Sequence, residues 1–147
     1  MPEVLVKILR ERAHIPFYAS KGAAAADLYA VIDAPVTLEP GEGASIPTGI
    51  AIQLPDASKV ALVFARSGLA SKHGIALSNS VGVIDSDYRG ELCVLLRNFS
   101  NTPYTIENGE RIAQLMITDC SQCAFTVVDE LSETERGEGG FGSTGKQ

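Results

Sequence analysis

Lys59-Val60-Ala61-Leu62-Val63-Phe64-Ala65 is a short apolar run, bounded by Pro55-Asp56 on one side and by Arg66-Ser67-Gly68 on the other. Its length and residue types are those of a strand. Upstream, Ala44 to Leu54 reads as another strand between Pro40-Gly41 and Pro55-Asp56, and Val4 to Leu9 alternates enough to be a first one. Downstream, strands are expected at Ile75 to Leu77, Val81 to Ile84, Leu92 to Arg97, Tyr104 to Ile106, Arg111 to Thr118 and Ala124 to Val128. Only Ser67 to His73 has helical character, with Ser67 as the expected N-cap. The 147-residue chain holds 14 Gly, 7 Pro and no Trp, punctuation that favours many short strands over long helices. An all-β sandwich or barrel follows.

Composition narrows the function. The length fits one domain with a real core. Met1 to Arg10 has charges on both flanks and too short an apolar run for a signal peptide or a membrane span. A soluble, cytoplasmic protein is expected, with no membrane partner. The formal net charge of −6 argues against a nucleic-acid partner, since such binding rests on a field of Lys and Arg. Cys93, Cys120 and Cys123 form no paired framework, so a reduced state is the default. Cys120-Ser121-Gln122-Cys123 lacks the second ligand pair of a zinc site, and His14 and His73 are isolated.

The one shift in composition comes after Leu131, where a polar, Gly-rich tail begins. Arg136-Gly137-Glu138-Gly139-Gly140-Phe141-Gly142-Ser143-Thr144-Gly145 sets an arginine, an aromatic ring and two hydroxyls on a backbone that has no reason to order alone. Such a composition suits phosphate oxygens and a flat ring, so the tail reads as a nucleotide lid. Gly140 to Lys146 also matches most of a phosphate-loop pattern, but that loop needs a helix after it, and Gln147 stands where a Ser or Thr should bind magnesium.

Four other segments carry candidate chemistry. In Gly82-Val83-Ile84-Asp85-Ser86-Asp87-Tyr88-Arg89-Gly90-Glu91, two apolar strands flank a polar turn. Asp85, at the end of an apolar run, is poised either as a base raised by burial or as ordinary turn chemistry. Ala65 to Gly74 ends a strand with Arg66-Ser67-Gly68, where a helix N-terminus would attract phosphate or simply be capped. In Glu110-Arg111-Ile112-Ala113-Gln114-Leu115, the Gln114 amide would share a face with Ile112 as a structural bracket or a phosphate contact. Asp27 lies between small residues and a strand.

The order of these segments resembles that of the trimeric deoxyuridine triphosphate nucleotidohydrolases, the dUTPases, over about Ala24 to Gly145. Ala26 to Leu28, Arg66 to Ile75, Gly82 to Glu91, Glu110 to Leu115 and Arg136 to Gly145 look like that family's five motifs in sequence. The resemblance implies a distorted jelly-roll-like β-barrel over residues 1–131, a short helix, a flexible arm over residues 132–147 that closes the active site, and a homotrimer with sites where subunits meet. It implies hydrolysis of dUTP to dUMP and pyrophosphate with Mg2+, limiting uracil in DNA and supplying dUMP for dTMP synthesis. Asp85 would activate water. Tyr88 would pack under the deoxyribose, and Asn79 with the hairpin backbone would read uracil. Arg66, Ser67, Gly68 and Gln114 match phosphate contacts, and Asp27 an acid that helps order the magnesium hydration shell. In the arm, Phe141 would cover uracil, while Arg136, Ser143 and Thr144, spaced by Gly142, would reach phosphates. Ala25 stands where the family usually has Gly, and Ala65 where it usually has Pro. A dCTP deaminase on the same fold is disfavoured by Tyr88 and Phe141, and a non-catalytic scaffold by the presence of Asp85, Tyr88, Gln114 and Arg136.

Overall fold

The computed structural model describes residues 1–145; Lys146 and Gln147, the end of the phosphate-loop lookalike, lie outside the described residues. Lys59 to Ala65 forms the strand expected of it, within the order β1 (Leu5–Ile8), β2 (Ala26–Tyr29), β3 (Val36–Leu38), β4 (Gly43–Pro47), β5 (Ile50–Gln53), β6 (Lys59–Ala65), α1 (Ser67–His73), β7 (Ile75–Leu77), β8 (Gly82–Ile84), β9 (Cys93–Asn98), β10 (Tyr104–Ile106) and β11 (Arg111–Asp119). β6 is interior to the largest sheet, β2-β11-β6-β8, and both of its edges are paired antiparallel. β4-β9-β7, β1-β5 and β10-β3 complete the set. The all-β, jelly-roll-like expectation therefore holds, with one short helix. The barrel does not close: among the described residues no ladder joins the four sheets into a ring.

Where the expectation for Ala44 to Leu54 differs, the cause is one residue. This segment is two strands, because Gly49 takes φ +72° and turns the chain from β9, the partner of β4, to β1, the partner of β5. A Cβ on Gly49 would stand 2.8 Å from that of Ala13, so neither the backbone nor the space accepts a side chain there. Thr48 is buried at the break and donates its hydroxyl to the Leu92 carbonyl at 2.6 Å. Switching sheets at such a corner lets both halves bury Ile46, Ile50 and Ile52 in one core with Leu28, Leu38, Leu96 and Ile106. Burial of each such side chain contributes about 1.5–3 kcal/mol, and this cluster, rather than exposed ion pairs such as Arg12–Asp33, holds the fold.

A second correction concerns Gln114. The register of β11 against β2 slips between Arg111 and Ala113, so Ile112 and Ala113 are buried in succession and the alternation changes phase. Gln114 consequently lies opposite Ala113 and Leu115 rather than sharing a face with a buried Ile112 across a regular strand. Bulges of this kind re-aim side chains, and this one precedes the residues of interest. The expected strand at Ala124 to Val128 does not form; Phe125 and Val127 are almost wholly exposed, in a stretch with no strand edge beside it. Strand β3 was not expected, since Val36-Thr37-Leu38 is too short to show a period. Cys93, Cys120 and Cys123 are free thiols, and no helix among the described residues is long and apolar enough to cross a membrane.

Candidate active site

Asp27 is nine-tenths buried on β2, and a buried carboxylate must be paired. Two arginines do it. Arg66 Nε stands 3.2 Å from Asp27 Oδ1, and Arg111 Nη1 3.2 Å from Oδ2. Arg66 Nη1 also donates to the Arg111 carbonyl at 3.2 Å, which ties the end of β6 to the start of β11. Gln114 is level with Asp27 in the ladder, and its Nε2 donates to the Ala65 carbonyl at 2.9 Å. The structural bracket expected of Gln114 is therefore present, from β11 to the end of β6. Sequence reasoning missed Arg111. The need of Asp27 for a partner among apolar neighbours was the signal that could have found it.

Helix α1 starts beside this cluster. Its N-cap is Arg66, in extended backbone at φ −81° and ψ 129°, and not Ser67, which begins the first turn. No side chain caps the helix and its first turn holds no acid, so the amides at Ser67 and Gly68 are left for solvent or a ligand.

Asp85 and Tyr88 lie elsewhere. The two strands flanking them are not a hairpin: β8 pairs with β6, whereas β9 pairs with β4 and β7. Between them Tyr88 N donates to the Asp85 carbonyl at 3.2 Å, and the Tyr88 hydroxyl to the Glu91 carbonyl at 3.1 Å. The ring folds back over Gly90, where a Cβ would fall 2.3 Å from the Tyr88 Oη, so a side chain there would push the phenol out of this position. Glu91 anchors the loop: Arg10 grips it with Nε at 2.7 Å and Nη2 at 3.0 Å, and the Gly49 amide donates at 2.9 Å. The Arg10 hydrogen bond holds the Glu91 carboxyl below its ordinary range. Asp85 itself is exposed, which corrects the picture of a base enclosed by apolar residues; it has passed the end of β8, and nothing in its own chain covers it. Asn79 sits in the turn from β7 to β8, next to Ser80 at φ +63°, with its amide facing Gly82.

The geometry therefore yields two groups. In the β8–β6 register Ile84 is opposite Ala61, so Asp85 follows at the level of Val60, six residues back along the sheet from Arg66. At about 3.3 Å per residue this separates Asp85 from the Asp27–Arg66–Arg111 cluster by about 20 Å. A third group, the arm, is self-contained. Every residue from Ser121 to Glu138 is exposed, Arg136 Nε donates to the Gly139 carbonyl at 2.7 Å, and Phe141 is fully exposed at φ +51°, followed by Gly142 at φ +85°. Ser143 and Thr144 are exposed beyond it.

Comparison with known proteins gives the family of the chain that carries this arrangement. The family model for dUTPase matches residues 11–145. Deoxyuridine 5'-triphosphate nucleotidohydrolase of Burkholderia cenocepacia (strain HI2424) is 52% identical over 143 residues, covering 96% of this chain and 97% of that protein. The enzyme of the same name from Azoarcus sp. (strain BH72) is 52% identical over 148 residues, covering 99% of each. Among solved structures, Staphylococcus bacteriophage 80alpha dUTPase with dUPNHPP superposes with a TM-score of 0.88 at 32% identity, over 98% of this chain and 99% of that one. A mutant dUTPase from phage phi11 of S. aureus, described for its coordination of a structural Mg(II) ion, gives 0.80 at 26% identity, over 89% and 99%. Fold and relatives together define a nucleotide hydrolase. The chain belongs to the dUTPase family, and its activity is that of a dUTP diphosphatase.

Proposed function

We propose that the chain hydrolyses dUTP to dUMP and pyrophosphate by in-line attack of an Asp85-activated water on the α-phosphorus, in active sites shared between the subunits of a homotrimer. The observation that carries this reading is the separation of about 20 Å between Asp85 and the Asp27–Arg66–Arg111 cluster, which follows from the strand register. One chain does not bring base and phosphate ligands onto the same phosphorus. A second copy, presenting its Asp85 loop to the cluster of the first, would do so.

The third group supports the same assembly. Phe125, Val127 and Leu131 are exposed on a stretch that its own chain leaves uncovered, just before the arm. An apolar groove of about 740 Å³ lies beside the unpaired edge of β1, lined by Val4, Val6, Ile15, Ile52, Leu115 and Ile117 among others. Uncovered apolar side chains of this kind suit a subunit contact. In the proposed trimer the stretch crosses to a neighbour and delivers residues 132–147 over its site, with residues 1–131 as the catalytic body.

Within the site, the roles follow from chemistry. Arg66, the Ser67 and Gly68 amides, and Gln114 hold the phosphates. Asn79 and the backbone beside it read the uracil edge, and Tyr88 lies under the deoxyribose where a ribose hydroxyl would clash. From the arm, Phe141 covers the base, while Arg136, Ser143 and Thr144 meet phosphate oxygens, with Gly142 allowing the turn between them. Asp85 accepts the proton of the attacking water and loses it after each turnover.

The donor set fits Mg2+ held mainly by the substrate. No group of three or more His, Cys, Asp or Glu side chains among the described residues forms a cage, and Asp27 is the one carboxylate in the cluster. With an arginine on each oxygen, Asp27 keeps lone pairs for water in the ion's hydration shell. Bound there, the ion would neutralise charge on the triphosphate and on the leaving pyrophosphate. This also answers the −6 net charge, which would otherwise repel the substrate. Limiting uracil in DNA and supplying dUMP are the cellular consequences of the reaction, and three free thiols fit a reducing, cytoplasmic setting.

The test is pyrophosphate release from dUTP, dTTP, dCTP and UTP, with Mg2+ and with the ion chelated. Turnover of dUTP at least about 100-fold above the others, lost with the ion, is expected from the discrimination that a polar pocket can reach. Equal turnover of UTP would remove the role of Tyr88, and full activity in chelator that of the metal.

A further inference from the structure

Behind the cluster that holds Asp27 lies a second bracket that faces no proposed ligand. Tyr104, half-buried on β10, donates its hydroxyl to Glu110 Oε1. Glu110 is fixed on three other sides: its Oε2 accepts from the Glu107 amide at 3.0 Å, its carbonyl from the Ala30 amide at 2.8 Å, and its own amide donates to the Glu107 carbonyl at 3.2 Å. Glu110 directly precedes Arg111, which holds Asp27. The His73 ring lies 4.8 Å from the phenol ring, tilted by 48°. His73 is the last residue of α1, whose N-cap is Arg66.

The geometry points to Tyr104 as a positioning residue for the triphosphate: it fixes the rear of α1 against the start of β11, and so sets where Arg66, Ser67 and Gly68 stand relative to Arg111 and Gln114. This inference rests on the phosphate roles given to those residues above. Helix α1 has only seven residues and a single buried side chain, Leu69, so its own packing constrains its tilt weakly. Arg66 secures its front through Asp27 and the Arg111 carbonyl; the Tyr104 phenol secures its back. Both attachments end on neighbouring residues, Glu110 and Arg111. A shift of one therefore moves the other. The phenol is also suited to a permanent link, because burial and then the bond to Glu110 push its titration up, which keeps it a donor at any ordinary pH.

Tyr104→Phe keeps the ring on His73 and removes only the hydroxyl. With the Glu110 carboxylate as lost partner, KM for dUTP is expected to rise about fivefold and kcat to change less than about twofold. Inhibition by deoxyuridine, which has no phosphates, should be unaltered. Glu110→Gln should shift KM in the same direction, and the double variant should be no worse than the poorer single one. Unchanged KM in Tyr104→Phe, or an equal loss of deoxyuridine affinity, would overturn the inference, the second by showing a general loosening. Should Tyr104→Phe not fold, Glu110→Gln decides by the same two readouts. Arg66→Ala separates the two layers of the argument: if it leaves KM unchanged, the phosphate assignment itself is wrong, whereas a raised KM there with none in Tyr104→Phe removes only the role of Tyr104.

Discussion

Asp85→Asn should lower kcat for dUTP by about 1000-fold while leaving dUTP affinity within about threefold of the parent, which is the range expected when a general base alone is lost. Asn has the size of Asp and still accepts a hydrogen bond from water, but it cannot take the proton. Its position makes this a clean substitution. The side chain is exposed and past the end of β8, so no core packing changes, and the loop stays anchored through Glu91 to Arg10 and the Gly49 amide. The measurement is pyrophosphate release under single-turnover conditions beside equilibrium binding of a non-hydrolysable dUTP analogue. Turnover near that of the parent would exclude Asp85 as the base; loss of binding instead of turnover would make it a substrate ligand.

Removal of residues 136–147 should leave a folded trimer with an unchanged melting temperature and a turnover reduced by about 100-fold or more. The first half follows from exposure: every residue from Ser121 to Glu138 is open to solvent, and among the described residues the Arg136 side chain bonds within the arm, to Gly139. The second half follows from what the arm is proposed to bring. Phe141 and the Arg136 guanidinium would exclude water and complete the cage around the triphosphate, and closures of this kind are commonly worth such factors. Size-exclusion chromatography with light scattering checks the assembly, and steady-state kinetics the activity. A truncated protein as active as the full chain would contradict the lid. A truncated protein that falls to monomers would place the subunit contact in the arm itself rather than in the preceding apolar stretch.

Much of the fold was legible because its signals are local. Lys59 to Ala65, Ile75 to Leu77 and Tyr104 to Ile106 occupy the residues their composition suggests, and Ser67 to His73 is helical although its cap is Arg66. The misses come from long-range partners. Nothing within Ala44 to Leu54 says that Gly49 must turn because Ala13 stands 2.8 Å from where its Cβ would be. The bulge before Ala113 is imposed by pairing with β2, and it reverses the side on which Gln114 lies. Phe125 and Val127 have the residue types of a strand, but a strand needs an edge, and the chain offers none beside them.

The candidate site was legible as a set of residues and not as a place. Asp85, Arg66 and Arg136 could be singled out by type and order, yet no spacing in the sequence tells that the first two stand about 20 Å apart in one chain. That distance arises because β8 runs antiparallel to β6 and carries Asp85 to the Val60 end of the strand whose other end leads into Arg66, and it is the fact that turns a collection of motifs into an argument for shared sites. Arg111, Glu110 and Tyr104 escaped notice for the opposite reason. Each looks ordinary in its own segment, and its meaning appears only beside Asp27 or His73.

The central claim, attack of water on the α-phosphorus, is tested most directly by turnover in water enriched in heavy oxygen, with mass spectrometry of both products. The account predicts one heavy oxygen in dUMP and none in pyrophosphate. Label in pyrophosphate with unlabelled dUMP would mean attack at the β-phosphorus, and would contradict the placement of Asp85 and of the phosphate ligands alike.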